Sequence, residues 1–100
     1  VAGNDSRSRP PRDFVIDGAW PHATLTDHHG AHVAQRLARR LAQAMAEQGL
    51  SANRLAHDSG VNRQTIANVL AGAVWPDLLT IAKLERALAC HLWPAHQHTR

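Results

Sequence analysis

The sequence predicts an all-α domain of five helices behind a partly disordered N-terminal extension. Three observations predict it. Apolar residues recur at three- and four-residue spacing from Val33 to Leu92, the pattern that lines one face of a helix. The composition is rich in Ala and Leu, with no Tyr and one Phe, which favours a core of small aliphatics over a sheet. Residues 50–72, LSANRLAHDSGVNRQTIANVLAG, spell two short helices around a glycine turn. One hundred residues make at most one ordinary domain.

In chain order, residues 1–26 form the extension. VAGNDSRSRPPR is polar, and Pro10 and Pro11 block regular structure, so a loose arm is expected. A basic arm of this kind can enter a minor groove, for which Arg7, Arg9 and Arg12 would serve. An apolar segment, residues 14–20, follows, with Asp17-Gly18 as a turn signal. Phe14 and Trp20 are expected to pack on the domain or on a partner, and a short strand pairing with a symmetry mate is an option.

The domain proper is expected over residues 27–94. Thr26 or Asp27 can cap a first helix that runs to Gln48, with Val33, Leu37, Leu41 and Met45 inward and Gly49 as its stop. Ser51 can cap the second helix, which carries Leu55 and Ala56 and breaks at Gly60. Asn62 can cap the third, where Ile66, Val69 and Leu70 face inward and Arg63, Gln64, Thr65 and Asn68 run along the polar side. Pro76 holds Trp75 extended, and Asp77 caps a fourth helix with Leu78, Ile81, Leu84 and Leu88. His91 to Pro94 fit one last helical turn whose Leu92 and Trp93 close the core. Residues 95–100 are expected to fray.

The formal charge of +3 permits nucleic-acid binding without arguing for it alone. One cysteine, Cys90, excludes an intrachain disulfide and suits a reducing compartment. Nothing approaches a membrane span or the apolar core of a signal peptide, so a cytoplasmic location is expected. Catalysis finds no support: there is no Gly-rich phosphate loop, no protease-type metal motif and no nucleophile–base arrangement that the spacing fixes. His28, His29 and His32 cluster, but nothing nearby completes a convincing ligand set, so neither a metal nor a cofactor is expected.

Two helices, a glycine-containing turn and a polar second helix are the sequence form of a helix-turn-helix. Arg63 can fork onto guanine O6 and N7, and Gln64 onto adenine N6 and N7. Asn68, four residues after Gln64, can face the same groove. Arg36, Arg39, Arg40 and Arg54 are candidates for phosphate contact.

With these residues in place, residues 32–94 resemble the Cro/C1-type helix-turn-helix family, also called the XRE family, of bacterial and phage repressors. The resemblance rests on Leu50-Ser51, Leu55-Ala56, Gly60-Val61, Thr65-Ile66, Leu70-Ala71-Gly72, and Pro76 followed by Leu79, Ile81 and Leu84. It implies a lambda-repressor-like fold and a sequence-specific regulator of transcription, a repressor or autoregulator, that binds double-stranded DNA as a homodimer at the bacterial or phage nucleoid. It implies base contacts from Arg63, Gln64, Thr65 and Asn68. It implies backbone contacts from Ala52 and Asn53 at the start of the second helix, and Ser51, Arg54, Asn62, Arg39 and Arg40 are expected to contact the backbone beside them. Ala52 departs from the long polar residue frequent at its position, although a helix N-terminus still offers N–H groups to a phosphate. Two other readings stay open: an antitoxin whose N-terminal apolar segment holds a protein partner, and an interaction module that has lost DNA binding.

Overall fold

The four-residue repeat of Val33, Leu37, Leu41 and Met45 does build one long helix. In the computed structural model, which describes residues 9–94, α1 runs His29–Gln48. Its buried face holds Ala31, Ala34, Gln35, Leu37, Ala38, Leu41, Ala44 and Met45, and the alanines let neighbouring backbone come close. Gly49 closes it in the left-handed conformation, φ 64°, which glycine adopts without a Cβ penalty. The start differs from expectation. Thr26 is already engaged: its N–H donates to Phe14 O and its carbonyl accepts from His28 N–H. The helix therefore begins later, and His28 is its cap, with Nδ1 accepting from Ala31 N–H at 3.0 Å.

The next three helices start where local chemistry says they should. Ser51 Oγ accepts from Arg54 N–H at the head of α2, Ala52–Ser59. Asn62 Oδ1 accepts from Gln64 N–H at the head of α3, Arg63–Leu70. Asp77 Oδ1 accepts from Thr80 N–H at the head of α4, Leu78–Leu88. Each such cap satisfies a donor that the first turn leaves unpaired. The four helices enclose one core of Leu37, Leu41, Ala44, Met45, Leu55, Val61, Ile66, Val69, Ile81, Leu84, Leu88 and Leu92. Leu78 was expected in that core but is 75% exposed; it is the first residue of α4, ahead of the inward stripe that begins at Ile81. No helix among the described residues is long and apolar enough to cross a membrane.

The expected fifth helix does not form; the described residues contain four α-helices. After Leu88 the chain turns through Ala89 at φ 55°, and residues 90–94 are irregular. The side chain of Glu85 replaces the missing helical turn. Its Oε2 accepts from Leu92 N–H at 2.7 Å and from Trp93 N–H at 3.2 Å. Leu92 is thereby seated in the core as expected, while Trp93 stays 51% exposed. The Leu92 amide first, and the Trp93 amide after it, hold the Glu85 carboxyl below its ordinary value of 4.5. A carboxyl depressed in the folded state stabilises fully above its unfolded value and loses that contribution as pH falls through the folded one. The hold of Glu85 on the Leu92 and Trp93 amides is therefore expected to be complete above about pH 4.5 and to weaken in more acid solution. Tryptophan emission followed through an acid titration checks this. A step should appear in the wild type and be absent from Glu85→Ala and Trp93→Phe.

Ahead of α1, residues 9–26 wrap the helices as a strap. Pro11–Phe14 forms a 3-10 turn. β1, Val15–Asp17, then pairs antiparallel with β2, Thr24–Leu25, with an irregular register between Val15 and Asp17. The strand partner is thus in the same chain. Phe14, Leu25 and Ala31 form a second buried cluster, with Val15, Trp20, Ala23 and Trp75 packed on it. The Gln35 amide accepts from Ala23 N–H and donates to Ala23 O, and Arg39 Nη1 donates to Pro21 O. At the other edge Trp20 Nε1 donates to Leu70 O, Arg12 N–H to Gly72 O, and Trp75 Nε1 to Arg9 O. Gly72, at φ 69°, admits this contact because a Cβ there would lie 2.5 Å from Trp20 Cε2.

Candidate nucleic-acid interface

Successive residues of an α-helix are rotated by about 100°, which puts Arg63, Gln64, Ala67 and Ala71 on one face of α3. All four are exposed, while Ile66 and Val69 on the opposite face are buried. Asn68 lies at the margin of the stripe, half-buried. Gln64 Nε2 donates to Asn68 Oδ1 at 3.1 Å, so the two amides brace one another. That bond leaves Gln64 with Oε1 and a second N–H, the pair that an adenine edge requires. Thr65 is half-buried and turned to the flank, away from Arg63 and Ala67. The stripe thus presents a guanidinium and an amide pair near the helix N-terminus, followed by two alanine methyls.

The candidates for backbone contact fall into two groups. Ser51, Asn53, Arg54 and Asn62 are exposed and Ala52 is half-buried, all at the heads of α2 and α3. Ser51 Oγ and Asn62 Oδ1 are used as caps. The Arg54 guanidinium is engaged within its own helix: Nε lies 3.1 Å from both carboxylate oxygens of Asp58. A hydrogen bond from His57, and then one from Arg54, holds the Asp58 carboxyl below its usual range. Arg36, Arg39 and Arg40 sit elsewhere. They line a shallow depression of about 420 Å³ with Gln43 and His91 to Pro94, and none of its lining residues comes from α2 or α3.

His28, His32 and most of the apolar N-terminal segment are engaged within the fold. His28 caps α1 and stacks at 4.1 Å on Phe14, and a ring nitrogen of His32 lies 3.0 Å from Thr26 O. Among the described residues no three His, Cys, Asp or Glu side chains come together as a metal site. Phe14 is 7% exposed and Trp20 lies against Gly72, so of segment 14–20 the large apolar side chain left in solvent is Ile16. Arg7 lies outside the described residues.

Sequence reasoning missed that the strap ends beside α3. A signal was present: Trp20 and Gly72 are an oversized and a minimal residue in otherwise unexplained positions, as a side chain packed on bare backbone requires.

A family model described as Helix-turn-helix matches residues 41–92. Among solved structures, the restriction-modification controller protein C.AhdI from Aeromonas hydrophila, known from a high-resolution crystal structure, is similar to this chain at 32% identity with a TM-score of 0.53. The similarity covers 56% of this chain and 85% of that one. No curated protein matches. The family match begins inside α1 and leaves the strap outside it.

Proposed function

The chain belongs to the Cro/C1-type helix-turn-helix family of DNA-binding regulators, and on that premise we propose that it binds a specific operator as a homodimer and reads its major groove with α3, acting as a repressor or autoregulator. The observation that carries this reading is the exposed stripe of α3. Arg63 stands at its head, the braced pair Gln64–Asn68 follows, and the cap at Asn62 fixes the first turn from which they project. Arg63 takes guanine and Gln64 takes adenine, with Asn68 orienting Gln64. Ser51, Ala52, Asn53 and Asn62 set the register against phosphates through side chains and the free N–H groups of the two helix heads. Similarity to a restriction-modification controller supports the role of regulator.

One α3 spans too few base pairs for useful selectivity in a genome, which is the argument for a second copy. The apolar surface best suited to hold it is a groove of about 260 Å³ along α1 and the head of α4, lined by Val33, Trp75, Pro76, Ile81 and Trp93. Phe14 and Trp20 are spent within the chain, whereas Trp93 is not.

Selection from random duplexes by the purified protein tests the proposal. The expected product is a palindrome whose half-site centres lie about 34 Å apart, one turn of the duplex. Absence of enrichment, with binding that vanishes at moderate salt, would overturn it in favour of a protein-interaction module.

A further inference from the structure

The connection between α3 and α4, residues 71–77, reads Ala-Gly-Ala-Val-Trp-Pro-Asp. It has no basic side chain and one carboxylate. It lies where the exposed stripe of α3 ends, about 12 Å from Arg63 at 1.5 Å of rise per residue. A straight helix laid in a curved groove has its ends nearest the groove walls, which are lined with phosphate. The C-terminal end of α3 also carries the negative pole of the helix dipole, which repels phosphate. A cation there would offset this repulsion, and the α3–α4 connection itself contains none.

The strap brings two. Arg12 N–H donates to Gly72 O at 3.0 Å, and Arg9 O accepts from Trp75 Nε1 at 2.9 Å, so both residues are tied to that connection by their main chains. In a 3-10 turn residues three apart share a face. Pro11 and Phe14 take the buried face, which turns Arg12 and Asp13 outward in directions about 120° apart. The Arg9 guanidinium lies 4.3 Å over the Phe14 ring, and its Nη2 donates to Asp13 O, a carbonyl. Among the described residues neither Arg9 nor Arg12 is in an ion pair, in contrast with Arg54 and Arg40. The strap arginines are therefore placed without an ion-pair partner among the described residues.

We propose that Arg9 and Arg12 form a phosphate-binding site that carries the α3 surface onto the DNA backbone, supplying from the N-terminal strap the charge that the α3–α4 connection lacks. This rests on the DNA-binding reading above. The site contributes affinity and salt dependence, and no base preference.

Anisotropy titrations of a labelled duplex over a range of KCl concentrations test it. In the proposed dimer each substitution removes one phosphate contact per half-site, so the slope of log K against log salt should become shallower by about 1.8 for Arg12→Gln and by about 3.6 for Arg9→Gln/Arg12→Gln, the value of two and four released counterions. Arg12→Lys should keep the wild-type slope, and the enriched sequence should be the same for all variants. Thermal melting of each variant keeps a loss of charge distinct from a loss of fold, and the exposed Arg12 side chain makes Arg12→Gln the decisive one. If the wild type binds duplex with a steep slope and Arg12→Gln, folded, has the same slope, the phosphate site is wrong and the regulator reading stands. If the wild type shows no salt-dependent duplex binding, the regulator reading fails and the site falls with it.

Discussion

Replacing Arg63 by alanine is expected to erase the preference for the operator while leaving weak, salt-sensitive binding to any duplex. Arg63 is the first residue of α3, exposed, and set by the Asn62 cap one residue before it. A bidentate contact to guanine is worth about 1–3 kcal/mol of discrimination, or roughly 5- to 150-fold in the ratio of operator to random affinity. In a dimer each half-site loses that contact, so the ratio falls by up to the square of this factor. The electrostatic contribution should persist because the phosphate contacts proposed above are assigned to other residues. Competition between the selected operator and a scrambled duplex reads the ratio directly. A variant that retains the wild-type ratio would show that α3 does not read the bases in this way.

Truncating Ile66 to alanine is expected to cost a large share of the protein's stability and to lower its thermal unfolding midpoint markedly. Ile66 is fully buried, on the face of α3 opposite the exposed stripe, among residues of all four helices. Removing a large aliphatic from such a site costs about 2–5 kcal/mol, because the cavity left behind adds to the lost transfer energy. A domain of this size has only about 5–15 kcal/mol to lose. At roughly 4–8 °C per kcal/mol, the midpoint of thermal unfolding should fall by at least about 8 °C. Thermal denaturation followed by far-ultraviolet circular dichroism measures it. A shift under a few degrees would mean that the core closes around the smaller side chain.

The parts of this fold that were legible in the sequence are those decided within a few residues. Ser51, Asn62 and Asp77 cap helices because an oxygen on a short side chain reaches an N–H two or three residues ahead. Gly49 and Gly60 end helices because both take positive φ. The exposure of Arg63 and Gln64 follows from the period of α3, as does the placing of Gln64 over Asn68, whereas Thr65, read on the same polar side, is half-buried at the flank. What was not legible depends on distant partners. The fifth helix fails because Glu85 captures amides seven and eight residues away, a competition that apolar spacing does not encode. The late start of α1 follows from a strand pair that engages Thr26. The strap joins residues 50 and 66 positions apart, Trp20 to Leu70 and Arg9 to Trp75.

The manner of the strap's fastening has a consequence for how its sequence can change. At Arg9, Arg12, Pro21 and Ala23 the strap contributes only main-chain atoms to the bonds that hold it, and at Ala23 the amide of Gln35 takes the place of a neighbouring strand. The donors and acceptors at Arg12 and Ala23 exist whatever side chain is attached there. Seating and surface are thus specified separately: the helices choose where the strap lies, and its outward residues remain open to substitution. A lineage can revise the charge displayed beside α3 one residue at a time, tuning hold on the duplex without renegotiating the fold or the bases it reads.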